Sequence, residues 1–231
     1  MITKKITFHI SRYKKGLIDP PRFYTYSLAV SESMSVLDAL EKIRFTREPT
    51  LMYRHSCHHS SCGTCACLIN DFERLACTTN VWALGTETLT MAPLSGFPRS
   101  GDLVVNMNPF FKDIDEDWTY LRPSQNRERD RGPDTENRFL SRFEDCIECG
   151  SCVSACPVSN RNPEFMGPAA LTALHREMDK MPSNRNRLLK RSKKDRGAGL
   201  CDRALKCSRV CPTAVYPAYH IAELQKMTPD E

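Results

Sequence analysis

No apolar run in the 231 residues approaches the roughly 18 to 20 that a helix needs to cross a bilayer. No charged segment followed by an apolar one opens the chain, so a secretory leader is not expected. The protein is therefore expected to be soluble, or to be docked on a membrane by others. The net charge of +5 is small, and its excess lies between Arg176 and Arg196, where nine Lys/Arg face three acidic residues. No aromatic residue is interleaved there, which argues against nucleic acid as a partner. A solvated face, or docking on an anionic membrane or acidic partner, accounts for the basic stretch. There is no P-loop. The tract Gly197-Ala198-Gly199 has Asp202 where a dinucleotide turn needs glycine, and no strand precedes it. No nucleophile or acid–base constellation is present, and His9, His175 and His220 carry no partner pattern.

What is abundant is cysteine. Twelve in a small secreted chain would suggest disulfides, but here they sit in tight groups, which fits metal binding in a reducing compartment better. The first group, Cys57, Cys62, Cys65 and Cys77, has the spacing C-x4-C-x2-C-x11-C. A plant-type [2Fe-2S] cluster needs this shape: three thiolates on one loop and a fourth from further along, with Gly63 letting backbone pass close to sulfide.

The second group is Cys146, Cys149, Cys152 and Cys156 followed by Pro157, the C-x2-C-x2-C-x3-C-P run in which the fourth thiolate crosses to a neighbouring cluster. One such run calls for a second, and it arrives as Cys201, Cys207, Cys211 and Pro212, with Ala204 where the template has cysteine. We therefore expect Cys146, Cys149, Cys152 and Cys211 to hold [4Fe-4S], and Cys156, Cys201 and Cys207 to hold [3Fe-4S]. A fourth iron held by Asp202 or water is the competing possibility. Zinc uses CxxC pairs as well, but this run is a poor zinc template and two runs complement each other. A Rieske centre lacks its C-x2-H half, and the C-x2-C-H haem attachment is absent. His58 and His59 read as loop residues that tune a cluster rather than ligands, and Cys67 as a small buried side chain.

The length suggests two domains. Alternation over Lys4–Ile10 and again at Tyr24, Tyr26, Leu28 and Val30 predicts a hairpin with Pro20-Pro21 in its loop. Ser35 caps a helix with a stripe of Val36, Leu37, Leu40 and Ile43, and Cys67–Ile69 and Thr88–Met91 read as strands. Asn70-Asp71 reads as a turn. Further on, Leu171, Leu174, Met178 and Met181 follow Pro168 at helical spacing, and Ile221 and Leu224 mark another helix. Phe110, Phe111 and Trp118 fit either side of the boundary. The expected class is α+β: a β-grasp, plant-type ferredoxin domain over 1–108, then an all-α, bacterial-ferredoxin-like domain over 109–231, with an exposed connection about 122–142.

With its cysteine groups in this order, the chain resembles the iron–sulfur subunit of succinate dehydrogenase and fumarate reductase. Leu37-Asp38-Ala39-Leu40, Arg54-His55-Ser56-Cys57, Leu75-Ala76-Cys77, Pro93-Leu94, Phe97-Pro98, Asp102-Leu103-Val104-Val105 and Asn162-Pro163-Glu164-Phe165 match it too. The resemblance implies a relay from FAD on a flavoprotein subunit through [2Fe-2S], [4Fe-4S] and [3Fe-4S] to quinone at a membrane anchor. It also implies a location on the cytoplasmic face of a prokaryotic plasma membrane, held by anchor subunits. Pro157, Asn160, Arg161 and Asp202 fall at quinone-side positions. Asn160 and Arg161 stand where the family commonly has aromatics and Asp202 where it often has histidine, and Asn162-Pro163-Glu164-Phe165 with Gly167-Pro168-Ala169-Ala170 looks closer to the fumarate reductase branch, which favours menaquinone or an unusual anchor. His59 and Ser60 replace acidic and glycine positions of the first loop. A subunit of a soluble, thiol-coupled fumarate or heterodisulfide reductase is the alternative function.

Overall fold

The computed structural model describes residues 2–116, 118 and 145–229; the expected connection about 122–142 lies outside them. The chain forms two compact units, Met1–Asn106 together with Ile147–Ser151, and Met107–Cys146 together with Cys152–Glu231.

The first unit is built on a five-stranded mixed sheet in the order β2-β1-β5-β3-β4. Its strands are β1 (Thr3–Lys14), β2 (Ile18–Ser31), β3 (Ala66–Ile69), β4 (Phe72–Leu75) and β5 (Thr88–Ala92). β1 runs antiparallel to β2 and parallel to β5, and β3 runs antiparallel to both β4 and β5. Strand alternation sends Ile6, Phe8 and Ile10 to one face, where they are wholly buried with Val30, Ile69, Leu89 and Met91. Helix α1 (Val36–Thr46) adds Val36, Leu37, Ala39, Leu40 and Ile43 to this core. Each of the larger side chains, Val, Leu, Ile, Phe or Met, contributes about 1.5–3 kcal/mol when fully removed from water. The helix starts at a capping box: Ser35 Oγ accepts from Asp38 N at 3.1 Å, and the Asp38 carboxylate accepts from Ser35 N at 2.9 Å.

The hairpin is longer than the alternation predicts. Pro20 and Pro21 lie inside β2 rather than in a loop, because β2 is an edge strand and the register shifts between Arg12 and Lys14. The pairs Arg12–Arg22 and Lys14–Ile18 leave Asp19, Pro20 and Pro21 opposite Tyr13 alone, so the prolines fall where no ladder bond is required. Asn70 and Asp71, both at positive φ, make the two-residue turn joining β3 to β4. Buried Asp102 accepts from Tyr13 N at 2.7 Å and Met52 N at 2.8 Å and pairs with Arg12 at 2.9 Å, which fastens β1 to the segment leading into the cysteine loop. A buried carboxylate is tolerated because its lone pairs are used in this way.

The second unit is helical: α2 (Asn108–Phe111), α3 (Ser151–Ser154, whose first residue groups with the first unit), α4 (Pro157–Arg161), α5 (Gly167–Lys180), α6 (Arg185–Ser192), α7 (Lys206–Arg209) and α8 (Pro217–Lys226). Its core gathers Leu171, Leu174 and Met178 of α5 with Leu188 and Leu189 of α6, Ile221 and Leu224 of α8, and Trp118. Phe110 and Trp118 thus belong to this unit. α5 is buried on more than its apolar stripe, since Thr172, His175, Arg176 and Glu177 are also covered. The reason is that α2, α6 and α8 all pack against it. His175 Nδ1 meets His220 Nδ1 at 3.0 Å in this interior. Part of the basic stretch is not a free surface: Arg191 pairs with both Asp115 oxygens at 2.8 Å, and Arg196 pairs with Asp113 at 2.8 Å. Among the described residues no helix is long and apolar enough to cross a membrane.

Candidate metal centres

The first cysteine loop is shaped by left-handed backbone. His58, Ser60 and Gly63 have φ of 63°, 62° and 66°, and such alternation turns successive amides inward into an anion-binding concavity. Cys57 Sγ sits among those amides. His59 N donates to it at 3.5 Å, and the N–H of His59, with help from the Cys62 side chain and the amides of Cys62 and Ser61, holds the Cys57 thiol down at about 6. Across the loop, Cys77 N donates to Cys65 Sγ at 3.5 Å. Burial pushes the Cys65 thiol up to about 12, so a metal bound there would have to displace a firmly held proton. Amide donors aimed at sulfur are what a cluster-bound thiolate needs and a thiol does not.

Arg54 adds an independent sign. Its Nε and Nη2 are buried with no hydrogen-bond partner among the described residues, and burial lowers its pKa against the pull of Cys67, Cys149 and Cys65. Two buried guanidinium nitrogens left without partners are costly, and an anionic iron–sulfur cluster held beside those sulfurs would supply the missing counter-charge. The same unit carries Cys149 to the loop. A Cβ on Gly63 would lie 2.6 Å from Ile147 O and 2.7 Å from Cys149 Cβ. Cys67 is wholly enclosed, and burial pushes its thiol up to about 12, as a small apolar core residue in β3 should behave.

In the second unit Cys156 belongs to the core, and Cys146, Cys201 and Cys211 pack against it. Cys156 caps α4, its Sγ accepting from Ser159 N at 3.5 Å. After burial, the largest influence on the Cys207 thiol, which reaches about 12, is Cys156 and then Cys201; Cys201 is likewise raised by burial and by Cys156. These three thiols, from stretches more than forty residues apart, therefore share one neighbourhood. Cys211 Sγ accepts from Val215 N at 3.3 Å and lies 3.7 Å from Thr213 Oγ1. Cys149 Sγ lies 3.4 Å from Ser151 Oγ. Cys152 is the second residue of α3.

Of the residues expected at quinone-side positions, Arg161 and Asp202 come together as an exposed ion pair at 3.3 Å. Asn160 Nδ2 donates to Ser154 O at 2.8 Å, and Pro157 is the first residue of α4. Sequence reasoning missed a mainly apolar pocket of about 500 Å³ lined by Leu205, Ser208, Arg209, Tyr216 and Tyr219 among others. Its large apolar residues come from α8 and from the residues just before α7 and α8, with Leu205 and Tyr216 both at φ 58°, so no local pattern announced it.

Two cysteine-rich modules on a sheet unit and a helical unit define an iron–sulfur protein. Residues 7–112 match the 2Fe-2S iron-sulfur cluster binding domain, and residues 142–215 match the 4Fe-4S dicluster domain. The chain belongs to the family of fumarate reductase and succinate dehydrogenase iron–sulfur subunits. It is 32% identical over 224 residues to the fumarate reductase iron-sulfur subunit of Haemophilus influenzae, covering 90% of this chain and 87% of that one. Against the same-named subunit of Escherichia coli O157:H7 it is 32% identical over 225 residues, covering 95% and 91%. The Mycobacterium tuberculosis subunit of that name is 30% identical over 220 residues, covering 93% and 89%. In fold it is similar to a chain of the Mycobacterium smegmatis Sdh1 complex in the apo form, with a TM-score of 0.79 over 97% of this chain and 95% of that one at 22% identity.

Proposed function

We propose that this chain passes single electrons between FAD on a flavoprotein subunit and quinone at a membrane anchor, within a succinate/fumarate:quinone oxidoreductase held on the cytoplasmic face of a prokaryotic membrane. Cys57, Cys62, Cys65 and Cys77 hold [2Fe-2S]; Cys146, Cys149, Cys152 and Cys211 hold [4Fe-4S]; Cys156, Cys201 and Cys207 hold [3Fe-4S]. When bound, such clusters supply one-electron chemistry, which a flavin acting on two electrons needs as an outlet. The two domains of this reading are a β-grasp ferredoxin domain over 1–108 and an α-helical ferredoxin domain over 109–231.

The observation that carries the proposal is the gathering of Cys156, Cys201 and Cys207 in one neighbourhood of the second unit while Ala204 offers no fourth thiolate. Three thiolates without a fourth favour a three-iron cluster. The mainly apolar pocket lined by Leu205, Ser208 and Arg209, sequence neighbours of Cys207, supports placing the quinone and anchor at that end, and Arg161 with Asp202 supplies polar groups on the same unit. Electron paramagnetic resonance of the air-oxidised protein tests the assignment: a three-iron signal and about nine iron atoms per chain are expected. Absence of that signal overturns it. Co-purification tests the setting. Recovery with a flavoprotein and hydrophobic anchors is expected, whereas recovery with a soluble partner alone supports the thiol-coupled alternative.

A further inference from the structure

Outside the cysteine groups, one cluster in the first unit has the donors and spacing of a second kind of metal site. Glu41 projects from α1, and His55 and His58 flank Cys57 at the start of the loop. His55 Nδ1 lies 3.2 Å from His58 Nε2, His58 Nε2 lies 3.6 Å from Glu41 Oε1, and the three ligand atoms all lie within 4.8 Å of one another. A separation of 3.6 Å is too long for a hydrogen bond. It is close to the edge of a tetrahedron around zinc, about 3.3–3.5 Å for bonds of about 2.0–2.1 Å.

The geometry is prepared rather than incidental. The His55 ring packs against Tyr53 in a tilted arrangement with centroids 5.2 Å apart, and Tyr53 in turn lies under the Arg44 guanidinium at 5.8 Å. His58 adopts φ 63°, a conformation that costs a non-glycine residue about 1–2 kcal/mol and that aims its ring back towards α1. Two imidazoles and a carboxylate are a familiar zinc donor set, leaving a fourth position for water, and imidazole selects transition metals over magnesium or calcium.

We propose that Glu41, His55 and His58 form a divalent transition-metal site, best matched to zinc, at the mouth of the first cysteine loop. The site also bears on redox chemistry, a consequence that rests on Cys57 being a [2Fe-2S] ligand. A double positive charge held one residue from Cys57 favours the reduced, more negative cluster and so raises its midpoint potential.

The test uses the full chain with its clusters loaded, stripped of adventitious metal and dialysed against Zn²⁺, with zinc and iron counted per chain. One zinc per chain with unchanged iron is expected. The double change His55→Ala/His58→Ala should weaken binding at least about 100-fold and Glu41→Gln about 10-fold, while His59→Ala leaves it unchanged. His55 and His58 are exposed and Glu41 is half-buried, and a retained visible cluster spectrum confirms that each variant is folded. No zinc taken up at about 100 μM, or equal uptake by the double variant, overturns the site. A rise in the [2Fe-2S] potential on adding Zn²⁺, absent in the double variant, is expected. Bound zinc with an unmoved potential overturns the redox coupling.

Discussion

Gly63→Ala probes the contact on which the first unit depends. Gly63 has φ +66°, where an alanine costs about 1–2 kcal/mol. Its new Cβ would stand 2.6 Å from Ile147 O, 2.7 Å from Cys149 Cβ and 2.9 Å from Cys149 Cα. Unstrained contacts to carbon are about 3.5 Å, so the segment carrying Cys149 must retreat by about 0.8 Å. Two of the three opposing atoms are backbone, so no side-chain tip can swing aside. Overpacking of this kind adds about 1–3 kcal/mol, for a total of about 2–5 kcal/mol. Gly85→Ala is the control, because Gly85 has nearly the same φ, +64°, with nothing within 4 Å of its Cβ position. It should cost the left-handed strain alone. Denaturant titration followed through each cluster's paramagnetic signal separates the two. Gly63→Ala should lose the signals of the clusters using Cys57 and Cys149 at markedly lower denaturant than Gly85→Ala does, with the three-iron signal outlasting both. If Gly63→Ala is no worse than Gly85→Ala, the close approach of Ile147 and Cys149 to the loop is refuted.

Arg54→Met should leave a folded chain and lower the midpoint potential of the neighbouring cluster, because the substitution removes a buried positive charge beside Cys65 and Cys149; a redox titration showing no fall contradicts the counter-charge role. Ala204→Cys supplies the missing thiolate, so iron should rise by about one atom per chain and the three-iron signal should disappear; an unchanged signal means the three-iron site lies elsewhere. Burial pushes His175 down to about 4 from an unfolded value near 6.5, so the unfolded chain binds the extra proton first as pH falls. Stability is therefore full above about pH 6.5 and is lost progressively towards pH 4, by up to about 3 kcal/mol. His175→Leu should flatten this slope in unfolding experiments across that range.

Much of the chain was legible because its information is short-range. The capping box at Ser35 and Asp38, the alternation of β1 and the two-residue turn at Asn70-Asp71 are properties of consecutive residues, and each stands in the structure as read. Cysteine spacing is of the same kind, since a loop of nine residues can present three sulfurs whatever lies around it. The prolines of β2 were misplaced for the complementary reason: whether a missing N–H matters depends on the neighbouring strand, which lies elsewhere in the chain. The helix α5 was under-read for the same cause, because the elements covering His175, Arg176 and Glu177 are distant in sequence.

Sequence order alone therefore settled the family, the cysteine groups and the two structural halves, each encoded within a few dozen residues by spacing and periodicity. Packing between distant segments brought Cys156 to Cys201 and Cys207, left Arg54 Nε and Nη2 buried beside Cys65 and Cys149 with no partner among the described residues, and set Glu41 of α1 against His55 and His58. Those juxtapositions arise from burial of the surrounding apolar surface, which is non-directional and leaves no local signature at the residues it brings together.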